Sequence, residues 1–223
     1  VRKLLAKIFG RKETEVKKHN QLHSLTDLSN YYFREEEPPN DLKVGRYIAP
    51  MLAKAVPKAK WPKEHIVEYK YDGARYQIHF RRKIETTVII FNRKGKIVTA
   101  QFPDVVESVS HFEIDDAILD TEIYPINPRG GEPAEHKLMA KRVHKKNIAE
   151  AVEQCPVQLA VFDVLSINGE VCLDMVFSER LIRLKQFVPD VFQAKRFESE
   201  SIKAAYNLAI DWGYEGIMIK DAD

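Results

Sequence analysis

Apolar positions repeat with two different periods along this chain, and the change of period divides it. Leu4, Leu5, Ile8 and Phe9 return every three to four residues, Gly10 interrupts them, and Leu22, Leu25 and Leu28 resume the spacing. That pattern predicts a helical segment over residues 1–33. About thirty residues bury little core alone, so the segment is expected to be the tail of another domain or to pack on the domain C-terminal to it. Residues 34–44 read as a linker, because Arg34-Glu-Glu-Glu-Pro-Pro-Asn-Asp41 combines a charge run with a Pro-Pro step. After Pro50 the period shortens to two. Stretches rich in Val, Ile, Tyr and Phe predict strands over residues 65–70, 74–80, 86–92, 117–125, 158–167 and 216–220. Helical spacing predicts helices over 147–153, over 178–187 with Ser178 as N-cap, and over 199–212 with Gly213 as the stop. Strands joined by short turns come first and helices intervene later. The expected class for residues 45–223 is therefore α+β, with antiparallel β-sheets flanked by helices and a short N-terminal helical segment before them.

Composition adds limits. The 223 residues are 44% hydrophobic and 30% charged, which suits a globular chain, and charges break every apolar run well short of the roughly 18 residues of a membrane span. No secretory signal opens the chain and there is no initiator Met, so it is expected to begin inside a longer protein; the expected location is intracellular, cytoplasmic in a prokaryote or nuclear in a eukaryote. Cys155 and Cys172 are too few for a disulfide framework and read as reduced core thiols. His19 and His23 sit at helical spacing without a third ligand in reach, and a solvated polar face is the expectation. The net charge of +2 hides local excesses. Residues 1–22 carry seven Lys/Arg against two Glu, and residues 137–146 carry five with no acid. Either is a solvated face or a surface for a polyanion.

The candidate chemistry centres on Glu68-Tyr69-Lys70-Tyr71-Asp72-Gly73-Ala74-Arg75. Lys70 ends an apolar strand and is followed at once by an Asp-Gly turn signal. Only about one lysine in a few thousand is neutral at pH 7, so an amine nucleophile needs burial or neighbouring cations, for which Arg75 and Lys220 are candidates. Residue chemistry alone leaves a strand-end lysine in a salt bridge as the ordinary alternative.

Lys70-Tyr-Asp-Gly-Ala-Arg75 resembles the nucleotidyl-acceptor motif, Lys-x-Asp-Gly-x-Arg, of ATP-dependent DNA ligases. Four more blocks come after it in order. Phe91-Asn-Arg93-Lys-Gly with Phe102-Pro103, Leu119-Asp-Thr-Glu122, Val161-Phe162-Asp163-Val-Leu and Glu215-Gly-Ile-Met-Ile-Lys220 are each similar to blocks of that family. Ordered blocks over some 150 residues carry far more information than one short motif. Val44-Gly-Arg-Tyr-Ile-Ala-Pro-Met-Leu-Ala53, and His136-Lys-Leu-Met-Ala-Lys-Arg142 with His where the family usually has Gln, resemble the archaeal and eukaryotic replicative type. Residues 1–33 resemble the tail of its helical DNA-binding domain. The family's last motif and its oligonucleotide-binding domain have no counterpart before Asp223, so the chain is expected to be a central piece of a ligase.

The resemblance implies a nucleotidyltransferase, ATP-grasp-like adenylation fold and a set of roles. Lys70 would attack the α-phosphate of ATP and carry AMP as a phosphoramidate, which passes to a DNA 5′-phosphate before the nick is sealed in replication or repair. Arg75 and Arg93 would serve phosphate and ribose oxygens, and Lys220 the α-phosphate. Phe162 would stack on adenine and Glu68 would accept from its amino group. Glu122 would meet the ribose hydroxyls or a metal, and Glu215 the metal, for which Mg²⁺ is expected. Nicked duplex DNA is the implied partner, a sliding clamp a further one through regions outside this sequence, and a monomer is expected. An RNA ligase, a messenger-RNA capping guanylyltransferase and a non-catalytic DNA-binding fragment are the alternatives.

Overall fold

The computed structural model describes residues 1–22, 24–36, 42–55, 61–83, 85–144, 147–197 and 201–223. Three helices open it, α1 (Arg2–Ile8), α2 (Glu13–Leu22) and α3 (Leu25–Phe33). Ser24 caps α3 by accepting the Asp27 N–H at 3.1 Å. The helices bury Leu5, Ala6, Val16, Leu28 and Tyr32 in a cluster of their own. Ion pairs from Asp27 to Arg46 at 2.7 Å and from Lys18 to Asp174 at 3.6 Å tie them to the rest of the chain. Both pairs are exposed enough to contribute at most about 1 kcal/mol each. His19 Nδ1 bonds the Tyr32 hydroxyl at 2.8 Å, whereas His23 lies outside the described residues, as do residues 37–41 of the expected linker.

The strands are β1 (His65–Lys70), β2 (Ala74–Arg82), β3 (Thr86–Asn92), β4 (Asp116–Pro125), β5 (Val157–Ile167), β6 (Glu170–Val171) and β7 (Gly216–Asp221). They make two sheets, a ribbon of β1 and β7 and a five-stranded sheet in the order β3-β2-β4-β5-β6, with every pair antiparallel. Around them lie α4 (Pro103–Ser110), α5 (Met139–His144), α6 (Ile148–Gln154), α7 (Phe177–Phe187) and α8 (Ile202–Asp211). The expected mixed class with antiparallel sheets and flanking helices is what the chain forms.

Two local expectations change. The Asp72-Gly73 step does not close a hairpin, because β1 and β2 belong to different sheets and the turn carries the chain from one to the other. Helix α7 begins one residue earlier than expected, with Val176 at the cap, and the Ser178 N–H donates to Ala222 O instead. Ser201 caps α8 by accepting the Ala204 N–H at 3.3 Å, and residues 199–200 of the helix expected from 199 lie outside the described residues.

Period-two alternation sorts β2 cleanly. Tyr76, Ile78 and Phe80 enter the main core with Ile90, Leu119, Ile123, Val161 and Val164, and α4 closes it with Val105 and Val109. Each such side chain contributes about 1.5–3 kcal/mol on burial. Both thiols are unpaired and buried there, and burial pushes the Cys172 pKa up to about 11. The opposite face of β2 carries Arg75, Gln77 and His79, over which residues 45–51 run as a strap. Gln77 exchanges two hydrogen bonds with Ile48, and His79 Nδ1 accepts the Gly45 N–H at 3.1 Å while its Nε2 meets Gln77 Oε1 at 2.9 Å. These contacts fix the neutral tautomer with the proton on Nε2, and burial lowers the His79 pKa to about 4.

Candidate active site

A second cluster fills the space between the two sheets. Tyr69, Tyr71, Tyr124 and Tyr214 pack there with Ala160, Ala194 and Ala209, and Phe162, Phe197 and Ile217 border them. Tyr71 meets Tyr124 at 4.7 Å and the edge of Tyr214 at 5.2 Å between centroids. Residues 193–197 stitch the sheets together above this slab. Ala194 N–H donates to Val161 O on β5, Phe197 N–H to Val67 O on β1, and Tyr69 N–H to Lys195 O. Lys195 N–H in turn donates to the Tyr71 hydroxyl at 2.8 Å.

The site residues line this junction. Because antiparallel partners point to one side, the register Lys70 to Gly216, Glu68 to Met218 and Ile66 to Lys220 sets Glu68, Lys70 and Lys220 on one face of the ribbon. Lys70 ends β1 and its ammonium pairs with the Glu215 carboxylate. Lys220 pairs with Glu68 at 2.5 Å, donates to Phe162 O at 3.3 Å, and stands 4.6 Å above the rings of both Phe162 and Phe177. The two lysines are thus each held by a carboxylate, Lys70 by Glu215 and Lys220 by Glu68.

On the facing sheet Arg75 grips Asp120 through two nitrogens, with Nε to Oδ1 at 2.8 Å, and its Nη1 donates to Met51 O. Burial works against the charge of Arg75, and the Asp120 carboxylate more than restores it, leaving the pKa above its ordinary value. The guanidinium lies 5.3 Å from the centre of the half-buried Phe162 ring. Glu122 sits opposite Arg75 across the β2–β4 ladder and has no hydrogen-bond partner among the described residues. Burial raises its pKa to about 8 despite the positive charges of Arg75 and Lys70.

Arg93 stands apart, exposed on the turn after β3, where the Tyr47 hydroxyl donates to its carbonyl at 2.6 Å. It lines a cavity of about 420 Å³ with Tyr76, Lys94, His136, Lys137 and Met139. His136 approaches the turn after Lys70, since its N–H donates to Asp72 Oδ2 at 3.2 Å. The basic segment is set by Arg142, whose fully buried guanidinium pairs with Asp104 and donates to Gln101 O at 2.8 Å. Residues 145–146 lie outside the described residues.

The same span is recognised by comparison with known proteins. The family described as "ATP dependent DNA ligase domain" matches residues 50–223. The chain belongs to that family. Its relatives include the DNA ligase of Thermococcus fumicolans, 33% identical over 195 residues that make up 82% of this chain and 34% of the relative. The DNA ligase of Pyrobaculum calidifontis is 33% identical over 214 residues, 89% of this chain and 36% of the relative. This ligase domain therefore spans about a third of the length of those curated relatives. Its fold is shared with a solved mycobacterial DNA ligase D complexed with ATP and MES, at a TM-score of 0.60 and 21% identity, over 78% of this chain and 54% of that one.

The ligase domain brings Glu68, Lys70, Arg75, Glu122, Phe162, Glu215 and Lys220 to one junction and leaves Arg93 on the adjoining turn. Sequence reading missed two members. Asp120 was visible only as the second residue of the block Leu119-Asp-Thr-Glu122, and its grip on Arg75 spans 45 positions. Arg196, 3.0 Å from Glu68 Oε1, carries no local signal at all.

Proposed function

We propose that this ligase domain forms a covalent adenylate on Lys70. The amine attacks the α-phosphorus of ATP, a P–N bond forms, the bridging P–O bond to the β-phosphate breaks, and pyrophosphate leaves. Lys70 must first lose a proton, and Glu215, its ion-pair partner, is the carboxylate within reach. The observation that carries the reading is the position of Lys70, at a strand end on the junction of two sheets, on the same ribbon face as Glu68 and Lys220. Arg75 offers a fixed fork to ribose or phosphate oxygens, Arg93 an exposed one from the rim, and Lys220 a second cation at the α-phosphate. Phe162 would stack on adenine, and Glu68 would accept from its amino group.

The donor set suits Mg²⁺. Among the described residues no group of three or more ligating side chains occurs, and Mg²⁺ typically takes one or two carboxylates and completes its shell with phosphate oxygens and water. Glu122, partly buried and unpaired, and Glu215 would hold it, and the ion would neutralise charge on the phosphates. In the whole protein the adenylate would pass to a DNA 5′-phosphate, and a 3′-hydroxyl would then displace AMP to seal the nick. Residues 1–33 would belong to a DNA-binding domain joined through residues 34–44 to the catalytic residues 45–223, and the basic segment from Lys137 would face duplex phosphates. No helix among the described residues is long and apolar enough to cross a membrane.

Intact mass after incubation with ATP, Mg²⁺ and pyrophosphatase tests the reading. A gain of one AMP, absent from a folded Lys70→Ala variant, is expected; an equal gain in that variant would remove Lys70 from the role.

A further inference from the structure

Glu68 is 2% exposed, and a carboxylate so buried needs cations. Two reach it, Lys220 at Oε2 and Arg196 at Oε1, at 2.5 and 3.0 Å. The contacts differ in quality. Arg196 Nε lies at ion-pair distance, yet its N–H is not aligned with the carboxylate. Nε and Nη2 of Arg196 and Oε1 of Glu68 are therefore buried without a hydrogen-bond partner. A guanidinium with spare donors beside a carboxylate with a spare acceptor is an unfinished pair.

Lys220 has a second destination. Where it stands it occupies Glu68 and lies over the ring of Phe162, the two groups that the adenylation reading assigns to the base. To serve an α-phosphate its ammonium has to leave both. A buried acid stripped of its cation is strongly disfavoured, and Arg196 is fixed where it can prevent that. Its backbone bridges that of Glu68, and the neighbouring Phe197 N–H donates to Val67 O at 3.0 Å.

We infer that Arg196 is a positioning residue for base recognition: when a nucleotide draws Lys220 off Glu68, Arg196 completes its pair with the carboxylate and holds it toward the base's exocyclic amino group. The inference rests on the proposed adenylation reading. Nucleotide entry is then an exchange of counter-ions on Glu68, from a lysine that moves to an arginine that stays. The held carboxylate favours a purine whose six-position donates, as in adenine, over one that presents a carbonyl there, as in guanine.

Calorimetric binding of ATP and GTP to the wild-type chain, Arg196→Met, Arg196→Lys, Glu68→Ala and the Glu68→Ala/Arg196→Met double variant tests this, with thermal midpoints confirming that each is folded. Arg196→Met should weaken ATP binding about 10- to 100-fold and GTP binding little. Arg196→Lys should recover part of the loss, and the double variant should bind ATP no more weakly than Glu68→Ala. In adenylate formation the defect should fall on KM for ATP rather than on kcat. Wild-type ATP affinity in Arg196→Met, with preference still lost in Glu68→Ala, would overturn this inference alone. A wild-type chain that binds no ATP would overturn the functional reading with it.

Discussion

Glu122 is the residue whose environment makes the plainest demand. Burial raises its pKa from 4.5 to about 8, so the folded state binds its proton more tightly than the unfolded chain does. The stability this proton contributes is complete below pH 4.5 and is lost as pH rises toward 8. Glu122→Gln keeps the shape and removes the titration. It should gain stability over the parent by up to about 1.4 kcal/mol per pH unit across that window. Urea unfolding at about pH 5, 6.5 and 8 would show the gain, and an offset independent of pH would refute it. Glu122 could be picked out of the sequence because an acid in an otherwise apolar strand is conspicuous. Arg196 could not, since nothing near Ala194-Lys195-Arg196-Phe197 says which carboxylate it will meet.

Among the elements, the passage from β1 to β2 decides whether the site assembles. Gly73 is there for closeness rather than for an unusual φ: a Cβ would stand 2.4 Å from Ile123 O and 2.8 Å from Tyr124 Cβ. The turn behind Lys70 is thereby pressed onto β4 one residue beyond Glu122. Gly73→Ala should destabilise by about 1–3 kcal/mol and, by moving the turn, slow adenylate formation more than the stability loss explains. Denaturant unfolding beside single-turnover AMP transfer would separate the effects; a variant with normal transfer would show that the close approach is dispensable. The six longer strands were legible from runs rich in Val, Ile, Tyr and Phe, several of which also alternate in polarity. Helix α4 was not, as its eight residues include three valines that favour strands locally, and it forms because Val105 and Val109 reach the main core. The Asp-Gly step looked like a hairpin turn, since turn chemistry is local whereas the choice of sheet is made by distant partners.

At the scale of the molecule, the two sheets are joined through residues 193–197 and the tyrosines beneath them. Separating the sheets would break the bonds from Ala194 to Val161, from Phe197 to Val67, from Tyr69 to Lys195, and from Lys195 to the Tyr71 hydroxyl. The Tyr69 and Ala194 amides should therefore exchange hydrogen only with global unfolding, at the same free energy as the β4 amides. Earlier exchange at either position, measured under native conditions, would mean that the sheets open separately. The architecture could be read from the order of predicted strands, but this tie could not, because its partners lie up to 130 positions apart along the chain. Its consequence is that the cleft works as a vice of fixed gauge. The jaws should keep their spacing when a nucleotide enters, leaving accommodation to rotations of the ammonium and guanidinium groups between them.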